Sequence, residues 1–101
     1  MQDSFTTSRL QPVTEIERPR LHKVILVNDD FTPRDFVTRV LKYEFRLGEA
    51  RARAVMMTAH QRGACVVSVF PKDVAEEKAT SGTEAGRQKG YPLLFTTEPE
   101  E

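Results

Sequence analysis

Asn28, Asp29 and Asp30 stand together directly after an apolar run, and His60 lies farther along the chain near a glycine. An amide, two carboxylates and an imidazole can accept hydrogen bonds from a cation or hold a divalent metal. They can also be ordinary punctuation: Asn and Asp turn and cap the backbone wherever a strand ends, and a histidine late in a helix suits its dipole. A metal site built on Asp29, Asp30 and His60 would want six or more oxygens, and no further acidic cluster with ligand spacing accompanies them. Cys65, the one cysteine, sits inside an apolar strand-like run where a thiol is poorly reactive, which argues against a Cys–His nucleophile. There is no nucleophile-elbow serine and no glycine-rich phosphate loop. The residues by themselves therefore give no enzyme, with no cofactor and no metal.

The elements that must position these residues can be read from pattern. Leu21 to Val27 carries the run Val24-Ile25-Leu26-Val27, rich in β-branched residues, and ends at Asn28-Asp29-Asp30, which predicts a strand and a turn. Thr32, Pro33 and Asp35 predict a helix start with the Thr32 hydroxyl as cap, running to about Phe45 and burying Phe36, Val37, Val40 and Leu41. Gly48 to Gly63 predicts a second helix, with Ala50, Ala54, Met57 and Gln61 on one side and Met56, Ala59 and His60 on the next. Ala64 to Phe70 predicts a second strand. Pro71 opens a third helix, weakened by Ser81, Gly82 and Gly86 and expected to fray or kink near Gly82. Leu93 to Thr97 predicts a closing strand. The expected fold is α+β, in the order β-α-α-β-α-β, with three helices packed on one face of a small three-stranded antiparallel sheet.

The chain has 101 residues, enough for one domain and a tail. Residues 1–18 are rich in Ser, Thr and Gln without a hydrophobic period and read as a flexible N-terminal tail; 19–98 read as the domain and 99–101 as a disordered C-terminus. Fifteen basic and fifteen acidic residues give a formal net charge of +0, which removes bulk electrostatics as a reason to bind nucleic acid or membrane. Between Arg34 and Gly63 seven basic side chains (Arg34, Arg39, Lys42, Arg46, Arg51, Arg53, Arg62) meet only Asp35, Glu44 and Glu49, yet no aromatic ladder accompanies them for stacking bases. No apolar run is long enough for a membrane span, and Met1–Leu10 lacks a secretory pattern. A cytoplasmic monomer is the expectation.

Together these residues resemble a known family. Lys23-Val24-Ile25-Leu26-Val27-Asn28-Asp29-Asp30-Phe31-Thr32-Pro33, then Phe36-Val37, Val40-Leu41, Met56, His60, Gly63, Val74-Ala75-Glu76, Lys78 and Pro92-Leu93, are similar to the ClpS adaptors over roughly Leu21 to Thr97. The resemblance implies a non-enzymatic adaptor. It would bind proteins that begin with Leu, Phe, Tyr or Trp and pass them to the ClpAP unfoldase–protease. It implies that Asn28 and His60 bind the substrate α-amino group with help from Asp29 or Asp30. Thr32, Val37, Met56 and Ala59 would form the pocket for the first side chain, Asp73 and Lys78 would face the ClpA N-terminal domain, and the tail would serve delivery. Arg34 stands at the pocket mouth where the family commonly has Met, and a guanidinium there could lie over an aromatic ring. The same element order also resembles the C-terminal domain of ribosomal protein L7/L12, a translation-associated docking module, and fold likeness alone does not choose between them.

Overall fold

Burial alternates along the first strand, β1 (Leu21–Val27): His22, Val24 and Leu26 point inward while Lys23, Ile25 and Val27 face the other way. The computed structural model describes residues 20–100, so the tail expected over 1–18 lies outside the described residues. The remaining elements are α1 (Arg34–Glu44), α2 (Glu49–Arg62), β2 (Ala64–Pro71), α3 (Lys72–Gln88) and β3 (Leu94–Pro99). The sheet is antiparallel with β1 at its centre, in the order β2-β1-β3, and the helices cover the face that carries Val24 and Leu26. Leu26 pairs with Cys65 on one side and Phe95 on the other. A bulge in β2 leaves Val67 without a partner across the ladder and turns it fully into the core.

The helices bury narrow stripes. α1 uses Val37, Thr38, Val40 and Leu41, and the Thr38 hydroxyl donates to the Arg34 carbonyl at 3.0 Å, so its burial leaves no polar group unmatched. In α2 the buried stripe is Ala52, Val55, Met56 and Ala59. Ala50 and Ala54, expected to lie on a common side with Met57 and Gln61, are exposed. Lys42 of α1 reaches Glu49 of α2 at 2.6 Å across the helix pair, and Arg53 holds the same carboxylate at 2.7 Å from within α2.

α3 corrects an expectation. It runs unbroken through Ser81 and Gly82, and its buried stripe is Ala75, Ala79, Gly82 and Gly86. A Cβ on Gly82 would lie 2.7 Å from the Phe95 ring, and one on Gly86 would lie 2.6 Å from the Leu93 Cβ. These glycines let the helix approach β3 closely; what each loses in helix propensity is returned by packing. Thr83 stitches the pair further, its hydroxyl accepting the Phe95 N–H at 2.9 Å. β3 extends to Pro99, and the Glu100 N–H donates to the Leu21 carbonyl at 2.9 Å, so strand order reaches past the expected end at Thr97 and into the stretch expected to be disordered.

Candidate functional site

Three chain turns meet at the end of the sheet where β1 finishes. The first is the loop from Asn28 to Pro33, organised by one carboxylate. Asp29 Oδ1 accepts the backbone N–H groups of Phe31 and Thr32, both at 2.7 Å, and Oδ2 accepts the Thr32 hydroxyl at 2.9 Å. Asp29 thus folds the loop on itself as Asx turns do. This corrects the expectation for Thr32: its hydroxyl donates to Asp29 instead of capping α1, and the N-cap position is Pro33 with no side-chain cap. The residue is buried at the pocket wall, 8% exposed.

The second turn ends α2. Gly63 adopts a left-handed φ of 95°, its N–H donates to the Ala59 carbonyl at 2.8 Å, and its own carbonyl accepts the Asn28 N–H at 3.0 Å. That last bond fastens the loop bearing Asn28 to the helix end bearing His60. A residue with a Cβ would be strained at this φ. The third turn leads from α3 into β3 and delivers Leu93, which is 3% exposed.

The three enclose a cavity of about 140 Å³ lined by Leu26, Val27, Asn28, Asp29, Asp30, Thr32, Arg34, Val37, Met56, Ala59, His60 and Leu93. The structure therefore brings together every residue expected at the amine end and at the side-chain wall. It also adds Leu26, Val27 and Leu93, which the sequence analysis did not place there. Leu26 and Val27 are visible only as strand residues, and Leu93 only as the residue after Pro92, so nothing local marks them as lining. Within the cavity the two acids differ: Asp29 is committed to the loop, whereas Asp30 is exposed. Arg34 is turned toward the imidazole, its Nη2 lying 2.7 Å from His60 Nε2.

Asp73 and Lys78 lie elsewhere. Asp73 is exposed and borders a second concavity with Arg20, His22, Pro71, Lys72, Val74 and Pro99, at the other end of β1. Lys78 is half-buried and its Nζ donates to the Glu44 carbonyl at 2.9 Å, satisfying the last turn of α1. Cys65 lines neither cavity. Burial pushes its thiol up, against the pull of Arg51, which leaves it a weak nucleophile. Among the described residues no group of three or more His, Cys, Asp or Glu side chains is placed to hold a metal ion, and no helix is long and apolar enough to cross a membrane.

Comparison with known proteins is consistent over the whole domain. Residues 17–96 match the family model of the ATP-dependent Clp protease adaptor protein ClpS. The chain is 64% identical over 101 residues to the ATP-dependent Clp protease adapter protein ClpS 1 of Bradyrhizobium diazoefficiens, covering 100% of both chains. It is 62% identical over 101 residues to ClpS 2 of Mesorhizobium japonicum, again covering 100% of each. Among solved structures, Agrobacterium tumefaciens ClpS2 bound to L-phenylalaninamide superposes with a TM-score of 0.81 at 58% identity, covering 82% of this chain and 100% of that one. With a β-α-α-β-α-β fold, a concave end joining Asn28 to His60, and these matches, the chain belongs to the ClpS family of Clp protease adaptors and is not an enzyme.

Proposed function

We propose that the cavity takes the first residue of a protein substrate, and that the chain delivers such proteins in the cytoplasm to ClpAP through the ClpA N-terminal domain. The observation that carries this reading is the mixed lining of the cavity, which joins the polar groups of Asn28, Asp30 and His60 to the apolar side chains of Val37, Met56, Ala59 and Leu93. An α-ammonium leaving water needs acceptors for its N–H groups, and an amide oxygen, a carboxylate and a neutral imidazole supply them. The apolar wall takes a bulky side chain. Burying an aromatic side chain of ~150–250 Å² at ~25 cal/mol per Å² contributes roughly 4–6 kcal/mol before the costs of binding. Met56 provides a soft, adaptable surface for flat rings. The preferred first residues are accordingly Phe, Tyr, Trp and Leu, while β-branched side chains fill the cavity badly.

The Agrobacterium relative's ligand, L-phenylalaninamide, supports this reading because it combines a free α-amine with a phenyl side chain. Asp30 is the acid suited to the amine, since Asp29 is occupied by Phe31 and Thr32. Asp73 and Lys78 serve the ClpA contact on a separate face, and residues 1–18 serve delivery. The test is direct binding of peptides that differ only in their first residue, each with a free and an acetylated terminus. Tight binding restricted to free Phe-, Tyr-, Trp- or Leu-first peptides is expected. Equal affinity for acetylated and free forms would sink the proposal.

A further inference from the structure

We propose that Arg34 is a built-in competitor of the substrate amine: its guanidinium holds the one lone pair of His60 in the unliganded protein, and the substrate's α-ammonium must displace it to dock. The inference rests on the amine-binding reading above and adds a gate to it.

The argument is one of donor and acceptor arithmetic. Arg34 Nη2 lies 2.7 Å from His60 Nε2, a charge-assisted hydrogen-bond distance. A guanidinium has only donors, so Nε2 must accept, and the proton of a neutral imidazole is then on Nδ1. A neutral imidazole has a single lone pair. Whichever ring nitrogen faces an incoming ammonium, it finds either an N–H or an acceptor already taken, so His60 cannot serve Arg34 and the amine together. Both groups are cations and both belong in the same cavity, where Coulomb repulsion also opposes their coexistence. Arg34 opens α1 as an exposed residue on a long stem, so it can swing away without disturbing the helix. The guanidinium thus sits on His60 rather than over the apolar wall, where an aromatic ring would receive it.

The consequence is a penalty shared by all substrates, because displacement precedes recognition of the first side chain. Arg34→Met removes the competitor and is expected to tighten binding of Phe-first and Leu-first peptides alike, by about three- to tenfold. In a His60→Ala background the same substitution is expected to give a smaller gain, since no lone pair remains to be contested and only the charge repulsion is relieved.

The experiment measures affinities of the parent, Arg34→Met, His60→Ala and the double variant for a Phe-first and a Leu-first peptide, free and acetylated. Long-range ¹H–¹⁵N spectra of His60 are recorded on the unliganded parent and Arg34→Met. The proposal requires Nε2 to be the unprotonated nitrogen in the parent and its signal to move in Arg34→Met. A protonated Nε2 in the parent overturns it, as does Arg34→Met binding no tighter than the parent, or gaining equally without His60. A gain confined to one of the two peptides overturns it in favour of selection by the side chain. If the parent does not distinguish free from acetylated peptides, the amine-binding reading itself fails and takes the gate with it. Discrimination against acetylated peptides without a gain in Arg34→Met leaves that reading standing and removes only the gate.

Discussion

The two ends of β1 carry concavities of opposite character. Where the strand finishes, polar groups converge and most are held by neighbours: Asp29 by the loop, Asn28 through the Gly63 carbonyl, Arg34 by His60. Where it begins, Arg20, His22, Lys72 and Asp73 border a wider opening of about 590 Å³; His22 is buried there with its Nδ1 lacking a hydrogen-bond partner. A small charged terminus needs acceptors fixed in advance around a closed volume. Contact with another folded protein works with a broader, more exposed surface. Under the proposed function the two tasks stand apart by the length of a strand, so that changes at one end can leave the other intact.

The separation is broken most strongly through α3. Gly86→Ala gains about 1 kcal/mol in helix propensity. The new Cβ, however, would sit 2.6 Å from the Leu93 Cβ, which is not the yielding tip of a side chain. Overpacking of this kind costs roughly 1–3 kcal/mol or more, so we expect a lower melting temperature. Because Leu93 lines the cavity, weaker peptide binding should accompany it. Thermal denaturation with parallel peptide titration checks both. An unchanged melting temperature would show that the helix can retreat from β3.

At the proposed amine-binding end, Asn28→Ala and His60→Ala are each expected to weaken binding of a Phe-first peptide by roughly tenfold or more, a hydrogen bond to a charged group being worth ~1.5–3 kcal/mol. Circular dichroism should match the parent. Asp29→Ala acts one step back. It frees the Phe31 and Thr32 N–H groups and the Thr32 hydroxyl, and should cost about 1 kcal/mol of stability while loosening the loop. Peptide affinity should fall even though Asp30 remains.

At the opposite end, Asp73→Ala should leave peptide affinity within about twofold, as distant sites behave independently. Binding to the ClpA N-terminal domain should weaken. Lys78→Ala should do the same with an added loss of about 0.5–1 kcal/mol, because the Glu44 carbonyl at the end of α1 loses its donor. A peptide defect in Asp73→Ala would show that the two ends communicate.

The smallest effect concerns pH. Hydrogen bonds from Lys42 and then Arg53 hold the Glu49 carboxyl below its ordinary value of 4.5. Its contribution is therefore present above the unfolded-state value and is lost as pH falls through the lower folded-state one. Glu49→Gln should remove that small acid-range component and little else, as seen in melting curves of parent and variant from neutral pH downward.

Much of the fold was legible because local signals agreed with tertiary demands. The run Val24-Ile25-Leu26-Val27 gave β1, and Gly48 and Gly63 bracketed α2 to the residue. Two readings failed where a local rule met an unseen neighbour. Thr32 has the right type to cap α1, but the helix begins at Arg34 with Pro33 in the cap position, one residue too late for Thr32, whose hydroxyl donates to the Asp29 carboxylate instead. Gly82 reads as a weak point until the Phe95 ring is found against it. For the site, composition and spacing argued against catalysis and chose no ligand. The grouping of Asn28 with His60 came from resemblance to a family.

By itself the sequence determined the order of elements, their approximate limits and the supply of chemical groups, since periodicity, capping residues and turn formers act over a few neighbouring positions. Only the tertiary structure decided which groups share a cavity and which are already spent. Leu93 joins Met56 because α3 can lie close on its glycines. Asp29 and Asp30, neighbours of the same type, part in role because one carboxylate already accepts three hydrogen bonds from its own loop. Arg34 meets His60, far away in sequence, because α1 and α2 share one core through Val37, Val40, Val55 and Met56 and Gly63 fastens the end of α2 to the loop after β1. Hydrogen-bond capacity is a property of a side chain, but whether any of it is left for a ligand depends on what the fold has placed beside it.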